Sequence, residues 1–368
     1  MNRRVFIFAA SSTLVAQEPP SRQVVVGLIG AGARGSELLQ ACLADPSVRI
    51  GAVCEVYEPR MFAAVAAARS TGHRARYYRI YTELLGDKDL DAVIIAAPDF
   101  WRHRMTLEAL KAGKDVYLEP PISLTWQESV DLAAAERESR QIIQVGLQLR
   151  SRPLSRLAGA RMVQAWRSTD YLRPGVLRRG GFKLADPLNF VDWQAAARTQ
   201  VPYSPDRFLN WRFYSMYGGG IVSDLGCSVL DAIHILTGAG FPVSVQASGI
   251  RSREEGFDTV ERAVITVEYP EVLVSVSLDG AAARPGEHWS VGADAGKTEF
   301  GPEVRVGEPD LTRRHLANFL DSVRTRKTPV ATVAQTIPAT LICHMANLSI
   351  SAGTTMKWNS ARMRVESS

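Results

Sequence analysis

The sequence predicts an α/β protein: an N-terminal doubly wound parallel sheet, then an α+β domain with an open, mostly antiparallel sheet. Three observations carry this prediction. Short, wholly apolar runs alternate with helical periodicity from residue 22 to residue 149. A glycine-rich turn lies where the first apolar run meets the first helical segment. Beyond residue 150 the apolar runs give way to segments in which apolar and polar residues alternate.

The run Val24-Val25-Val26-Gly27-Leu28-Ile29 is apolar throughout, as expected of a parallel strand covered on both faces. Helical spacing over 35–44 places Leu38, Leu39, Cys42 and Leu43 on one side. Further strands are expected at 50–54, 91–96, 115–118 and 142–146. Helices are expected at 60–69, 101–112 and 125–139, the second of them closed by Gly113. Such alternation winds a parallel sheet with helices on both faces. In the second domain, 150–368, strands are expected at 243–249, 261–269 and 271–278, with helices at 223–236, 311–324 and 333–351.

Composition narrows the function classes. The chain has 368 residues, 46% of them hydrophobic, enough to bury a core in each of two domains. Its formal charge of +5 comes from scattered arginines rather than a basic run, which argues against a nucleic-acid partner. The four cysteines, Cys42, Cys54, Cys227 and Cys343, show no CxxC spacing. They form neither a zinc ligand set nor a disulfide framework. Arg3-Arg4 before an apolar run that ends near Ala16 resembles a twin-arginine export signal over 1–16. That reading makes the protein periplasmic; with a fortuitous arginine pair it is cytoplasmic. The run is shorter than the ~20 residues a membrane span needs, and no other segment reads as a span.

Gly30-Ala31-Gly32-Ala33-Arg34-Gly35 is a GxGxxG pattern directly after a strand and directly before a helix. The first glycine permits the tight turn, and the second lets backbone approach a pyrophosphate. The third allows close helix–strand packing, and the helix N-terminus favours the anion. Glu55 lies 20 residues past Gly35 at the end of the second strand. A carboxylate there accepts hydrogen bonds from ribose hydroxyls and repels a 2′-phosphate, so NAD is favoured over NADP. Arg34, beside the loop, weakens that preference. This segment reads as a Rossmann-type dinucleotide domain over 22–149.

With these residues in place, the chain resembles the glucose-fructose oxidoreductase, inositol dehydrogenase and MocA family over nearly its whole length. Ala97-Pro98-Asp99-Phe100-Trp101 resembles the family's loop on the nicotinamide side. Ala112-Gly113-Lys114-Asp115-Val116-Tyr117-Leu118-Glu119 leads into its Glu-Lys-Pro motif, and Val145-Gly146-Leu147-Gln148 resembles the end of its nucleotide domain. Residues 203–212, then Tyr217-Gly218-Gly219-Gly220 and Asp224-Leu225-Gly226, resemble a bacterial subgroup, and 315–324 the family's C-terminal helix. The resemblance implies cofactor contacts from Gly30, Ala31, Gly32, Arg34, Gly35, Glu55, Pro98, Asp99, Trp101, Glu119 and Gln148. It implies hydride transfer on a secondary alcohol of a sugar or cyclitol, no metal, and a homodimer or homotetramer formed through the open sheet.

The chain departs from this pattern where the chemistry is done. The motif lysine is replaced by Pro120, in Glu119-Pro120-Pro121, and the helix histidine by Ser228 four residues after Asp224. The loop histidine is replaced by Arg102, with His103 one place on. Asp224, Tyr217 and Arg212 are then the candidate catalytic residues. Tyr217 would need a lowered pKa to act as an acid. Lys183, Tyr203 and Tyr214 are further candidates, His234 reads as structural, and Trp193 and Trp211 could stack on a sugar ring or serve as packing. The connection after Gln148 is shorter than the family's, which predicts a truncated helix over 152–160. Two functions follow: an oxidoreductase with an atypical site, or a non-redox relative that keeps its dinucleotide for binding or assembly.

Overall fold

A computed structural model describes residues 22–154, 156, 159–170, 172, 188–283, 288–293 and 309–368. The expected export signal at 1–16 and Lys183 lie outside the described residues.

The first sheet comprises β1 (Val24–Ile29), β2 (Val48–Cys54), β3 (Arg76–Tyr78), β4 (Ala92–Ile95), β5 (Asp115–Leu118) and β6 (Ile143–Val145). Its strands are all parallel, in the order β3-β2-β1-β4-β5-β6. The helices between them are α1 (Ala33–Leu43), α2 (Glu58–Ser70), α3 (Tyr81–Leu85), α4 (Asp99–Lys111) and α5 (Trp126–Glu138). This order reverses direction between β1 and β4, and doubly wound sheets bind ligands at the carboxyl ends of the strands flanking such a point. β3 and α3 are absent from the sequence reading because each is short and half polar. The expected helix at 152–160 is not formed among the described residues. The chain leaves β6 through a single turn, Gln148–Ser151, and runs to the next strand.

That strand, β7 (Met162–Ser168), opens the second domain. It is followed by α6 (Phe190–Trp193), α7 (Pro205–Leu209), α8 (Gly220–Asp224) and α9 (Gly226–Thr237). Then come β8 (Ser244–Arg251), β9 (Val260–Glu268), β10 (Leu273–Asp279), β11 (His288–Ala293), α10 (Pro309–Thr325), α11 (Val333–Ala352), β12 (Met356–Asn359) and β13 (Arg364–Ser367). The second sheet runs β11-β7-β10-β9-β8-β12-β13 and is antiparallel except for the parallel pair β7–β10. Strict alternation buries Ala263, Ile265 and Val267 of β9 under the helices and leaves Val264 and Thr266 outside. Trp166 of β7, Leu273 of β10 and Ile250 of β8 are likewise exposed on the outer side.

Two expectations need correction. The stretch Gly220–Thr237 is long and apolar enough to meet the criterion for a span, but 83% of it is buried inside the protein. It is the core of the second domain. Second, α10 falls within the 150–368 region yet packs on the first sheet. Leu316, Phe319, Leu320 and Val323 share one cluster with Val26 and Leu28 of β1 and Leu38 and Leu39 of α1. His315 anchors it: Nε2–H donates to the Val145 carbonyl (2.8 Å), which leaves Nδ1 to accept from the Ser151 hydroxyl (2.7 Å). Burial pushes this imidazole down to about 4, so it stays neutral.

Candidate active site

A cleft of about 910 Å³ opens at the carboxyl ends of β1 and β4 and is closed from the far side by the second domain. At one end lies the glycine loop. Gly30 has φ +90°, and a Cβ there would meet the Ala96 carbonyl group at 2.9 Å. A Cβ on Gly35 would lie 1.9 Å from the Gly30 oxygen, so only glycine lets α1 start this close to β1. Gly32, the residue that caps α1, has open space instead: a Cβ would meet nothing nearer than Arg60 Nη1 at 3.9 Å. Its side has no capping group, and the first turn of α1 faces the cleft uncapped.

Glu55 is buried beneath the loop. Its Oε2 accepts from Ala31 N (2.8 Å) and its Oε1 from Tyr57 N (3.0 Å). A carboxylate offers about four acceptor positions, so capacity for ribose hydroxyls remains. Arg34 reaches along the cleft, donating from Nε to Glu119 Oε2 (3.0 Å) and from Nη1 to Glu37 (2.7 Å). Its Nη2 and Glu119 Oε1 are buried without hydrogen-bond partners. Native structures rarely leave such atoms unmet. Pro98, Trp101 and Gln148 also line the cleft. Trp101 donates its indole N–H to the Trp193 carbonyl (2.7 Å) and so ties α4 to the second domain.

The other end is chemically different. Pro120 and Ser228 both face the cleft and bring no titrating group. Arg102 faces it too but serves as a clamp. Nε donates to the Ala97 carbonyl (2.9 Å), Nη1 to the Pro121 carbonyl (2.9 Å), and Nη1 lies 2.7 Å from Asp99 Oδ1. From the second domain come Asp224, Arg167, Arg212 and Trp211. Arg212 donates from Nε to Asp224 Oδ1 (3.0 Å) and stacks on Trp211 at 4.4 Å. Asp224 Oδ2 has no such partner among the described residues.

Several sequence-predicted residues are elsewhere. Asp99, expected to touch cofactor, does not line the cleft: it is 4% exposed and committed to Arg102 and the Gly219 N–H (3.4 Å). Tyr217, a candidate acid, is fully buried between Phe100 and Trp193, with its hydroxyl donating to Gln194 (3.3 Å). Burial raises its pKa, the opposite of what an acid there would need. Tyr214 is a core residue, and His103 meets Asp131 (2.6 Å) on the outer surface; Trp193, though 4% exposed, does border the cleft. His234 is buried against the Tyr269 hydroxyl (2.8 Å), away from the cleft. The sequence reading missed Arg60, Arg167 and Phe208, which line the cleft from three separate elements with no shared motif.

Comparison with known proteins decides the family. Residues 24–147 match the oxidoreductase family model with an NAD-binding Rossmann fold, and residues 193–299 match its C-terminal domain model. The chain belongs to the Gfo/Idh/MocA oxidoreductase family. It is 30% identical over 205 residues to an uncharacterised oxidoreductase of Synechocystis sp., an alignment covering 55% of this chain and 49% of that one. It is 33% identical over 130 residues to inositol 2-dehydrogenase 2 of Saccharopolyspora erythraea, covering 35% and 37%. The chain thus spans half or less of the curated relatives it matches. Among solved structures it superposes on myo-inositol 2-dehydrogenase from Lactobacillus plantarum with a TM-score of 0.70 at 18% identity, covering 91% of this chain and 99% of that one. A levoglucosan dehydrogenase in complex with NADH and L-sorbose gives 0.70 at 16% identity, covering 92% and 99%. At these identities the likeness extends to the fold, which in this Gfo/Idh/MocA member brings the glycine loop and Asp224 to one cleft.

Proposed function

We propose that the protein holds NAD in this cleft and oxidises a secondary alcohol of a sugar or cyclitol, with Asp224 as the proton acceptor. The observation that carries this reading is the placement of Asp224. A second-domain carboxylate with one oxygen fixed by Arg212 faces the same cleft into which the glycine loop opens. Relatives and fold neighbours named as inositol and levoglucosan dehydrogenases support the substrate class.

NAD, when bound, supplies the acceptor for the hydride that leaves the alcohol carbon. The uncapped N–H groups of α1 hold the pyrophosphate, and Glu55 takes the ribose hydroxyls and disfavours a 2′-phosphate. Arg34 and Glu119, paired with each other, line the next stretch of the cleft. Asp224 Oδ2 receives the hydroxyl proton while Arg212 keeps the carboxylate oriented. The outer sheet face carrying Trp166 and Leu273 supports a homodimer or homotetramer.

One observation favours a second reading, in which the bound dinucleotide is not turned over. Among the described residues that line the cleft there is no lysine and no histidine. The deciding experiment is to purify the protein, assay for bound NAD, and follow NADH absorbance with a panel of sugars and cyclitols. Turnover supports the oxidoreductase; full cofactor occupancy without turnover moves the assignment to the second reading.

A further inference from the structure

Arg60, on α2, belongs to no motif found in the sequence, yet its position in the cleft is unusual. The guanidinium carbon lies 5.0 Å from the ring centroid of Phe208 and 5.6 Å from that of Tyr57. The two rings meet edge to face at 5.8 Å. Tyr57 is held by the carboxylate of Glu55, which accepts its N–H. Phe208 comes from α7 in the second domain. These rings seat the guanidinium directly across from Gly32, the cap of α1, with Nη1 the nearest atom at 3.9 Å from where a Cβ would stand.

The N-terminus of α1 carries partial positive charge on its N–H groups. An arginine facing it brings a full charge of the same sign, and both border open cleft. Groups of like charge are favourably placed together when an anion lies between them. A planar guanidinium fork beside backbone N–H groups matches a phosphate in both geometry and charge.

We propose that Arg60 is the cation that grips the dinucleotide's pyrophosphate, and that Phe208 seats it, so that cofactor affinity is set across the domain boundary. This rests on the reading that the cleft takes a dinucleotide, and the test separates the two. NAD, NADP, adenosine and inorganic pyrophosphate are titrated calorimetrically against the full-length wild type, Arg60→Gln, Arg60→Lys and Phe208→Leu. Arg60→Gln is expected to weaken NAD and NADP alike by about 10- to 100-fold, the range for a hydrogen bond to a charged group, and to leave adenosine unchanged. Arg60→Lys should restore part of the loss, because it keeps the charge without the fork. Phe208→Leu should fall between Arg60→Gln and the wild type while retaining the wild-type circular dichroism.

A loss confined to NADP would place Arg60 at the 2′-phosphate, and an equal loss for adenosine would place it on the base; either overturns the proposal. So does unchanged NAD affinity in Arg60→Gln. If the wild type binds no dinucleotide, the functional reading fails by itself. Inorganic pyrophosphate then decides the rest: binding that Arg60→Gln abolishes keeps Arg60 as the anion grip, and no binding by the wild type removes it.

Discussion

The two ends of the cleft differ in what they present to it. The glycine-loop end presents main chain, with the Glu55 and Arg60 side chains beside it. Gly30 and Gly35 are required by the path of the backbone, with neighbouring main-chain oxygens at 2.9 and 1.9 Å from where a Cβ would be. A substitution there disturbs the fold and the site together. The opposite end presents side chains, among them Asp224, Arg212 and Ser228. Where the family resemblance implies a lysine and two histidines stand Pro120, Ser228 and Arg102, and Arg102 bridges the Ala97 and Pro121 carbonyls.

The sharpest way to exploit this difference is to put the family's groups back. Combining Pro120→Lys with Ser228→His is expected to raise sugar-dependent NADH production by about 100-fold or more, the typical contribution of a positioned acid or base. NAD affinity should be unchanged in the same variant. If turnover stays at background with cofactor bound, the substrate end has lost more than those two groups. The glycine end should behave in the opposite way. Gly35→Ala forces α1 off β1 and is expected to lower stability by about 1–3 kcal/mol, as overpacking does. NAD affinity should fall with it, by about tenfold or more. Thermal denaturation and cofactor titration measure the two effects. Wild-type behaviour in both would mean that the loop adapts and the contrast between the ends is not one of backbone against side chain.

Legibility in the sequence follows the same division. The loop could be read because three glycines, a strand and a helix are contiguous, so local geometry and ligand chemistry share one segment. The position of Glu55 beneath the loop was readable because β2 places it at a fixed offset from the loop. Asp99 and Tyr217 were misplaced because their roles depend on burial, which a motif does not encode. Tyr217 follows the cleft-lining Arg212 by only five residues but turns into a cage of Phe100, Trp193 and Tyr214. Arg60 and Phe208 meet only through the docking of one domain on the other, and Arg167 joins the same cleft from β7. α10 was assigned to the wrong body because its apolar stripe states that it packs, not on what.

Asp99 and Arg102 sit at the joint between the two domains, and their charge state gives the smallest of these tests. Asp99 is tied to the first domain through Arg102 and to the second through the Gly219 N–H. Burial pushes its carboxyl up to about 6, against the opposing pull of Arg102. An unfolded aspartate titrates near 3.9, so between these values the folded chain binds the proton more tightly than the unfolded chain does. Stability from this group is therefore full below about pH 4 and is lost as the pH rises through about 6. The non-titrating variant Asp99→Asn lacks that slope. Urea unfolding of both proteins across this window is expected to show the wild type losing about 1–3 kcal/mol relative to Asp99→Asn. Asp231, pushed up to about 6 by burial against the pull of Arg150, titrates in both proteins and cancels. A flat difference would mean that the Arg102 ion pair holds Asp99 ionised throughout. The joint would then be a permanent charge clamp rather than one that loosens as the carboxyl ionises.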